Sequence, residues 1–331
     1  MMRPTQQPPH LLRRSLSGTR LRGVFFGTSA FAVPALHAFV TEVDCAFVVT
    51  QPDRPAGRGQ RLHATPVKIA AQELGITTLE PEKPITLLAT LGNAEPDLFA
   101  LASYGKIVPR ALLDLPRIGA LNVHPSLLPL YRGATPLQTQ IFQGVAESGV
   151  TIIAMDAGID TGDIVRQEPA RIGPHETYGE LHDRFARLGA QMLAQVCARA
   201  TNGTFTRTPQ PVAGLDEAIA RTMTRPLRKV DLNVDWRWSA RRVVDKVRSL
   251  SPSPLARAVL GDEMCKLIAV HESSHDGAAV PGRIIEARDL EVGCGDGGSI
   301  IVDRLIAPNR GETSGAAHAA RRAHILRTVL P

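Results

Sequence analysis

Through the first two hundred residues, short apolar runs that end in glycine or a polar turn alternate with stretches of helical periodicity. The first run is Val24-Phe25-Phe26-Gly27, followed by Thr28-Ser29 and a helical stretch carrying Phe31, Ala35 and Leu36. A second strand is predicted at 45–50 and a polar loop over 51–64. Thr65 as N-cap and Pro66 at the first helical position then open a helix with Val67, Ala70, Ala71 and Leu74 on one face. Strands follow at 97–103, 120–123 and 150–155, with a helix around 136–142 and a long one over 178–200. Strands and helices alternating across short turns restrict this part to an α/β fold, a mostly parallel sheet covered on both faces.

The pattern changes after Gly203. Residues 203–224 read as a linker with little periodicity, followed by Asp235-Trp236, a helix over 239–249 and Ser251-Pro252-Ser253-Pro254. Short strand-like runs at 256–260, 266–271, 283–287 and 299–302, parted by glycine turns, suggest a small β-barrel of the OB-like kind that binds oligonucleotides. The 331 residues suit two such domains. The division expected is an extension over 1–20, a first domain over 21–203, a linker over 204–224 and a second domain over 225–331.

Composition narrows the class. Apolar residues make up 44% and charged residues 21%, which excludes collagen-like, coiled-coil and wholly disordered chains. No run of about 18 apolar residues occurs, so no membrane contact is expected. Cys45, Cys197, Cys265 and Cys294 form no C-x-x-C pair, which argues against a disulfide framework or structural zinc and fits a reducing compartment. Charge is unevenly spread: residues 1–20 carry +4, residues 21–220 carry −3 and residues 221–331 carry +5. A basic module joined to a mildly acidic one suits a polyanionic partner such as a nucleic acid. The acid-free, proline-broken segment 1–20 is expected to be a disordered extension of a cytoplasmic bacterial protein, with organellar import as the alternative.

The stretch from Gly119 to Pro136 reads GALNVHPSLLPLYRGATP. Strand alternation puts Asn122 and His124 on one face and Val123 on the other, and Pro125 stops the strand. Both polar groups therefore arrive at a strand's C-terminal end, where α/β folds hold their ligands. An amide that donates to an oxyanion, beside an imidazole that moves a proton, suits acyl transfer. A carboxylate to orient the imidazole would come from Met155-Asp-Ala-Gly-Ile-Asp-Thr-Gly-Asp163, where the turn would aim Asp160 into the site and Asp156 and Asp163 are the competing choices. Gly158 and Gly162 there are read as giving the turn its backbone freedom. The spacing of these acids does not match an EF-hand, and no metal is expected.

The run Asn122-Val-His124-Pro-Ser-Leu-Leu-Pro129 with Arg132-Gly133, followed by Asp160-Thr-Gly-Asp163, resembles the signature of enzymes that use 10-formyltetrahydrofolate. Phe26-Gly-Thr-Ser-Ala-Phe-Ala32, the stretch from Thr50 to Gly59, Thr65-Pro-Val-Lys68, Ser103-Tyr-Gly105, Asp235-Trp236 and Arg248-Ser-Leu-Ser-Pro252 are similar to the methionyl-tRNA formyltransferase family. The resemblance covers roughly residues 22–330. It implies a Rossmann-like domain followed by a β-barrel domain, and a catalytic trio of Asn122, His124 and Asp160. It also implies folate contact from Ser126, Leu127, Leu128 and Pro129, and a loop over 51–68 that meets the tRNA acceptor end. Arg58 would be the residue most directly involved, with Arg54, Arg61 and Lys68 beside it. Ser29, Thr222-Met-Thr-Arg225 and Ser253 depart from the family pattern.

The reaction implied moves a formyl group from 10-formyltetrahydrofolate to the α-amino group of initiator Met-tRNA. Its chemistry, passing through a tetrahedral intermediate, calls on neither a metal nor a covalent enzyme intermediate, and a monomer is expected to suffice. Formyl transfer to a small amine, such as a nucleotide-linked amino sugar, is the alternative; it would use the same trio but needs no basic loop. Hydrolysis of the formyl donor and nucleic-acid binding by a chain with a vestigial enzyme domain are further rivals. The Gly27 turn lacks G-x-G-x-x-G, which weighs against a dinucleotide oxidoreductase.

Overall fold

The computed structural model describes residues 20–56, 61–200, 205–274, 279–286 and 288–326. Residues 1–19 of the extension and Arg58 lie outside the described residues.

In β1 (Arg22–Gly27) successive side chains point to opposite sides, and both sides are apolar. Phe25 joins Leu36, Phe39, Val48, Ala100 and Phe185 in one core, while Val24 and Phe26 join Val49, Phe99 and Leu101 in another. A strand buried on both faces needs a cover on each, which is why helices flank the sheet. The sheet is built from β1, β2 (Asp44–Val49), β5 (Thr78–Leu79), β6 (Leu98–Ala102), β7 (Gly119–His124), β8 (Glu147–Ala154) and β9 (Asp163–Arg171). Between β2 and β5 stand a hairpin of β3 (Arg54–Ala56) and β4 (Arg61–His63), then α2 (Pro66–Glu73). The strand order is β5-β2-β1-β6-β7-β8-β9. The β5–β2, β2–β1, β1–β6 and β6–β7 pairs are parallel, whereas β7–β8 and β8–β9 are antiparallel. The mostly parallel α/β domain is thus what forms, with an antiparallel edge.

The helices are α1 (Ala32–Glu42), α2, α3 (Leu88–Asn93), α4 (Arg110–Leu113), α5 (Pro136–Phe142) and α6 (Tyr178–Ala200). The predicted start of α2 holds: the Thr65 hydroxyl accepts from the Lys68 amide at 3.1 Å, and Pro66 needs no donor there. Two expectations change. The polar loop over 51–64 contains the β3–β4 hairpin, in which Arg54 faces His63 and Pro55 faces Leu62. The featureless stretch over 203–224 contains α7 (Asp216–Thr222), a helix with no buried residue and hence no apolar stripe to betray it.

The second sheet is wholly antiparallel, in the order β10-β11-β14-β13-β12 with β15 on β14. Its strands are β10 (Ala256–Leu260), β11 (Glu263–Glu272), β12 (Ile284–Glu286), β13 (Glu291–Gly293), β14 (Ser299–Ile306) and β15 (Glu312–Ser314). They form a half-barrel around Val243, Val247, Leu267, Val292, Ile300 and Leu305, with α8 (Ala240–Arg248) and α9 (Gly315–Leu326) packed on it. The three-residue strands β13 and β15, and α9, carry too little periodicity to be read from sequence. Asp235 to Trp238 is a turn, closed by the Trp238 amide donating to Asp235 O at 3.0 Å.

The two sheets meet through α5, α6 and α8. The Phe142 ring lies 5.3 Å from Trp238, and the Arg242 guanidinium lies over both rings. Lys246 Nζ sits 4.6 Å above Phe142, and burial pulls its pKa below the usual lysine value. Buried Arg248 pairs with Asp245 at 2.7 Å and donates to Gly173 O and Glu176 O on the first domain. Ser251 O accepts from Gly179 at the start of α6. The stretch from Arg248 to Pro252 therefore joins the domains.

Candidate active site

The site begins at the end of β7. Val123 turns toward α6, where Gly189 lets the helix approach; a Cβ on Gly189 would fall 2.5 Å from Val123 Cγ1. Asn122 and His124 therefore face the opposite side. Beyond Pro125 the chain folds back tightly: the Ser126 amide donates to His124 O, and the Ser126 hydroxyl donates to Leu130 O at 2.7 Å. This turn brings Tyr131 (φ 60°) round so that its carbonyl oxygen lies 2.9 Å from His124 Nε2. A carbonyl only accepts, so in this arrangement Nε2 carries the hydrogen and Nδ1 is the nitrogen that gains or loses a proton.

Asp160 arrives from the turn between β8 and β9. Its Oδ2 lies 3.5 Å from His124 Nδ1 and accepts from the Gly133 amide at 2.8 Å. Its Oδ1 accepts from Asn122 Nδ2 at 3.3 Å. The left-handed backbone falls on Asp160 itself (φ 53°) and not on the glycines beside it. Gly162 serves close approach instead, because a Cβ there would lie 1.9 Å from Ala154 O. The His124 side chain is 5% exposed and that of Asp160 16%, so the cluster is shielded but reachable from the Asp160 side. An imidazolium at His124 would face a carboxylate in a poorly solvated place, where the pair attracts more strongly than in water. The Asn122 amide nitrogen has two hydrogens, of which the bond to Asp160 uses one.

Of the remaining residues singled out in the sequence, the run from 126 to 129 adjoins this cluster. Ser126, Leu128 and Pro129 are buried, and their polar groups face inward. Thr151 Oγ1 donates to Ser126 O and accepts from the Leu128 amide, while Gln167 Nε2 donates to Leu128 O. In this conformation the run from 126 to 129 holds Tyr131 against His124, and Leu127 is its one partly exposed member. Lys68 is not a free charge: its Nζ lies 2.9 Å from both Asp53 and Glu80, which raise its pKa. It ties the base of the 51–64 loop to the strip after β5. Arg54 is exposed and donates to Gln51 Oε1. Arg61 lies on β4, opposite Ala56.

Several features have no sequence signal because their parts are far apart in the chain. A cavity of about 440 Å³, lined by Leu113, Ala120, Met155, Asp156, Asp163 and Arg207 among others, opens against the turn that bears Asp160. A second, of about 420 Å³, lies in the seam around Phe142, Trp238 and Lys246. In the second domain the ligand atoms of Glu263, Cys265 and His318 all lie within 4.8 Å of one another. This thiol, imidazole and carboxylate belong to the donor types found at zinc sites.

The end of the linker packs against the strip that adjoins the cluster. Thr224 donates to Arg132 O through both its amide and its hydroxyl, and Thr135 Oγ1 donates to Arg225 O. Gly133 (φ 105°) permits this: a Cβ there would lie 2.1 Å from Thr224 O. Gly133→Ala is therefore expected to destabilise the protein by about 1–3 kcal/mol through strain and overpacking. Chemical denaturation would show this as a lower midpoint at unchanged slope.

A formyl transferase family profile matches residues 23–197, and the profile described as the formyl transferase C-terminal domain matches residues 226–322. The chain is 40% identical over 292 residues to the methionyl-tRNA formyltransferase of Citrifermentans bemidjiense, covering 86% of this chain and 89% of that one. It is 39% identical over 288 residues to the methionyl-tRNA formyltransferase of Sorangium cellulosum, covering 85% and 91%. Among solved structures, an N-formyltransferase from Helicobacter canadensis in complex with folinic acid and dTDP-3-aminofucose matches with a TM-score of 0.63. At 18% identity over 85% of this chain and 98% of that one, this likeness shows a shared fold.

Proposed function

The chain belongs to the formyl transferase family, and we propose that it moves a formyl group from 10-formyltetrahydrofolate to the α-amino group of methionine on initiator Met-tRNA. The observation that carries the chemistry is the meeting of Asn122, His124 and Asp160, drawn from two stretches, within hydrogen-bond or ion-pair reach. The preference for Met-tRNA over a small amine rests on identity of about 40% with methionyl-tRNA formyltransferases across most of both chains. All three site residues come from one chain, which suits a monomer.

An α-amino group has a pKa of about 8, so a useful fraction is neutral near pH 7 and attacks without a strong base. As the nitrogen bonds to the formyl carbon, negative charge gathers on the formyl oxygen. The second N–H of Asn122 meets that charge. The new ammonium must lose a proton and the departing folate nitrogen must gain one. His124 carries it at Nδ1, and Asp160 stabilises the imidazolium while the proton is held. Collapse then breaks the bond to the folate nitrogen and leaves the formyl group as an amide on methionine. The folate is assigned to the 126–129 run beside His124, of which Leu127 is the member open to contact.

For the tRNA, the exposed side of the β3–β4 hairpin offers Arg54, with Arg58 and Arg61 adjoining it in sequence. Lys68 supports that hairpin from below. The +5 carried by residues 221–331 supplies the second contact surface. Such binding releases counterions, at roughly 0.7–0.9 log units of affinity per log unit of salt for each phosphate neutralised. KM for Met-tRNA should therefore rise steeply between 50 and 200 mM salt while KM for the folate changes little. A flat response would remove the electrostatic role. No helix among the described residues is long and apolar enough to cross a membrane.

Labelled formyl donor offered with Met-tRNA, deacylated tRNA, a nucleotide-linked amino sugar or water tests the reading. Label is expected on Met-tRNA alone. Preferential transfer to the amino sugar, or release as formate, would overturn it.

A further inference from the structure

Residues 207–210 run beside the start of β9, where Thr208 and Ile164 exchange backbone hydrogen bonds of 2.8 and 2.9 Å. This brings Gln210, 8% exposed, behind the turn that bears Asp160. Gln210 Nε2 donates to Asp160 O and Gly162 O, both at 2.8 Å, and its Oε1 accepts from Arg132 Nη2 at 2.6 Å. We propose that Gln210, a residue of the linker between the domains, is a positioning residue that holds Asp160 in register with His124 and Asn122.

The argument starts from the backbone of the turn. Asp160 adopts a left-handed conformation that a residue with a Cβ takes up only at a cost. Its carbonyl and that of Gly162 point away from the ladder that follows, so each needs a donor. One primary amide has two N–H groups and one carbonyl, which matches two backbone carbonyls and one guanidinium. No other neutral side chain of that length offers this set. On the other side of the turn the Asp160 carboxylate receives the Gly133 amide, and Gly133 adjoins the same Arg132. Asp160 is thus held from front and back by one strip, residues 132–133, with Gln210 completing the circuit. His124, Asp160 and Arg132 are the charged or titratable groups of this circuit, and Gln210 adds no charge to them.

The inference rests on the reaction proposed above, and its test separates the two. Formyl transfer to Met-tRNA would be measured for the wild type, Q210M, Q210E, D160A and the Q210M/D160A double variant, with thermal melting alongside. Met matches Gln in length and removes all three bonds; Glu keeps polarity and shape but cannot donate to the two carbonyls. Both are expected to lower kcat by about tenfold or more, since misplacement near 1 Å can cost about 100-fold. KM for either substrate should change less than threefold. On the D160A background Q210M should lower kcat no further, because its effect passes through Asp160. A merely structural role would lower melting temperature and activity in both backgrounds alike. Should Q210M fail to fold, Q210E carries the test. Near wild-type kcat in Q210E or a folded Q210M, or an equal loss on both backgrounds, overturns the proposal while leaving the reaction intact. Near wild-type turnover in D160A removes the role of Asp160 and with it this proposal, while transfer to Met-tRNA itself stands; absence of that transfer in the wild type overturns the reaction.

Discussion

Replacing His124 with alanine is expected to lower formyl transfer to Met-tRNA by about 10²–10⁴-fold, the range a positioned proton carrier supplies. Its Nε2 is pinned by Tyr131 O, and its Nδ1 faces Asp160 Oδ2 at 3.5 Å. The ring can neither rotate nor pass its task to a neighbour, because no second histidine joins the hydrogen bonds of this cluster among the described residues. The loss should fall on kcat, with KM for both substrates nearly unchanged, since the imidazole acts after both are bound. Alanine leaves a space where a buried ring stood, so a melting curve must accompany the kinetics. A folded H124A protein within threefold of wild-type kcat would show that the proton travels by another route.

Asn122→Ala should lower kcat by about 10²–10³-fold, equivalent to roughly 3–4 kcal/mol of lost oxyanion stabilisation. It should also release Asp160, whose Oδ1 accepts the Asn122 amide at 3.3 Å. The effects of N122A and H124A are therefore expected to be less than additive, because both act through the geometry of one carboxylate. Single-turnover rates with saturating donor and Met-tRNA measure this directly. Near-normal turnover by a folded N122A protein would remove the oxyanion role.

The parts of the site legible in the sequence were those that depend on short-range geometry. Strand alternation put Asn122 and His124 on one face, and proline after His124 marked the strand's end. The glycine-bracketed turn favoured Asp160 over Asp156 and Asp163, the family resemblance agreed, and a left-handed backbone at that residue accompanies its aim toward His124. The glycines nearby were read for conformational freedom, yet Gly162 matters because another strand's carbonyl leaves no room for a side chain. That distinction depends on what lies across the gap. Lys68 shows the same limit: in sequence it is one more cation of a basic loop, whereas the fold places Asp53 and Glu80 against it.

The linker was the least legible segment. Helix α7 buries nothing, so no apolar stripe announces it. Gln210 and Thr224 act through hydrogen bonds to residues some 50 to 90 positions away, and a polar residue in a loop carries no mark of such a partner. Strand–helix alternation, capping, two-faced apolar strands and the switch to short antiparallel strands are local or periodic properties of the chain, and they were sufficient to determine two domains of known architecture. The packing of the linker against residues 132–135 and behind the Asp160 turn, the neutralising of Lys68, the two cavities and the seam of Phe142, Trp238 and Lys246 were decided only by the tertiary structure. Each depends on the distance between groups remote in sequence, and hydrogen bonds and ion pairs weaken within an ångström or two of misplacement.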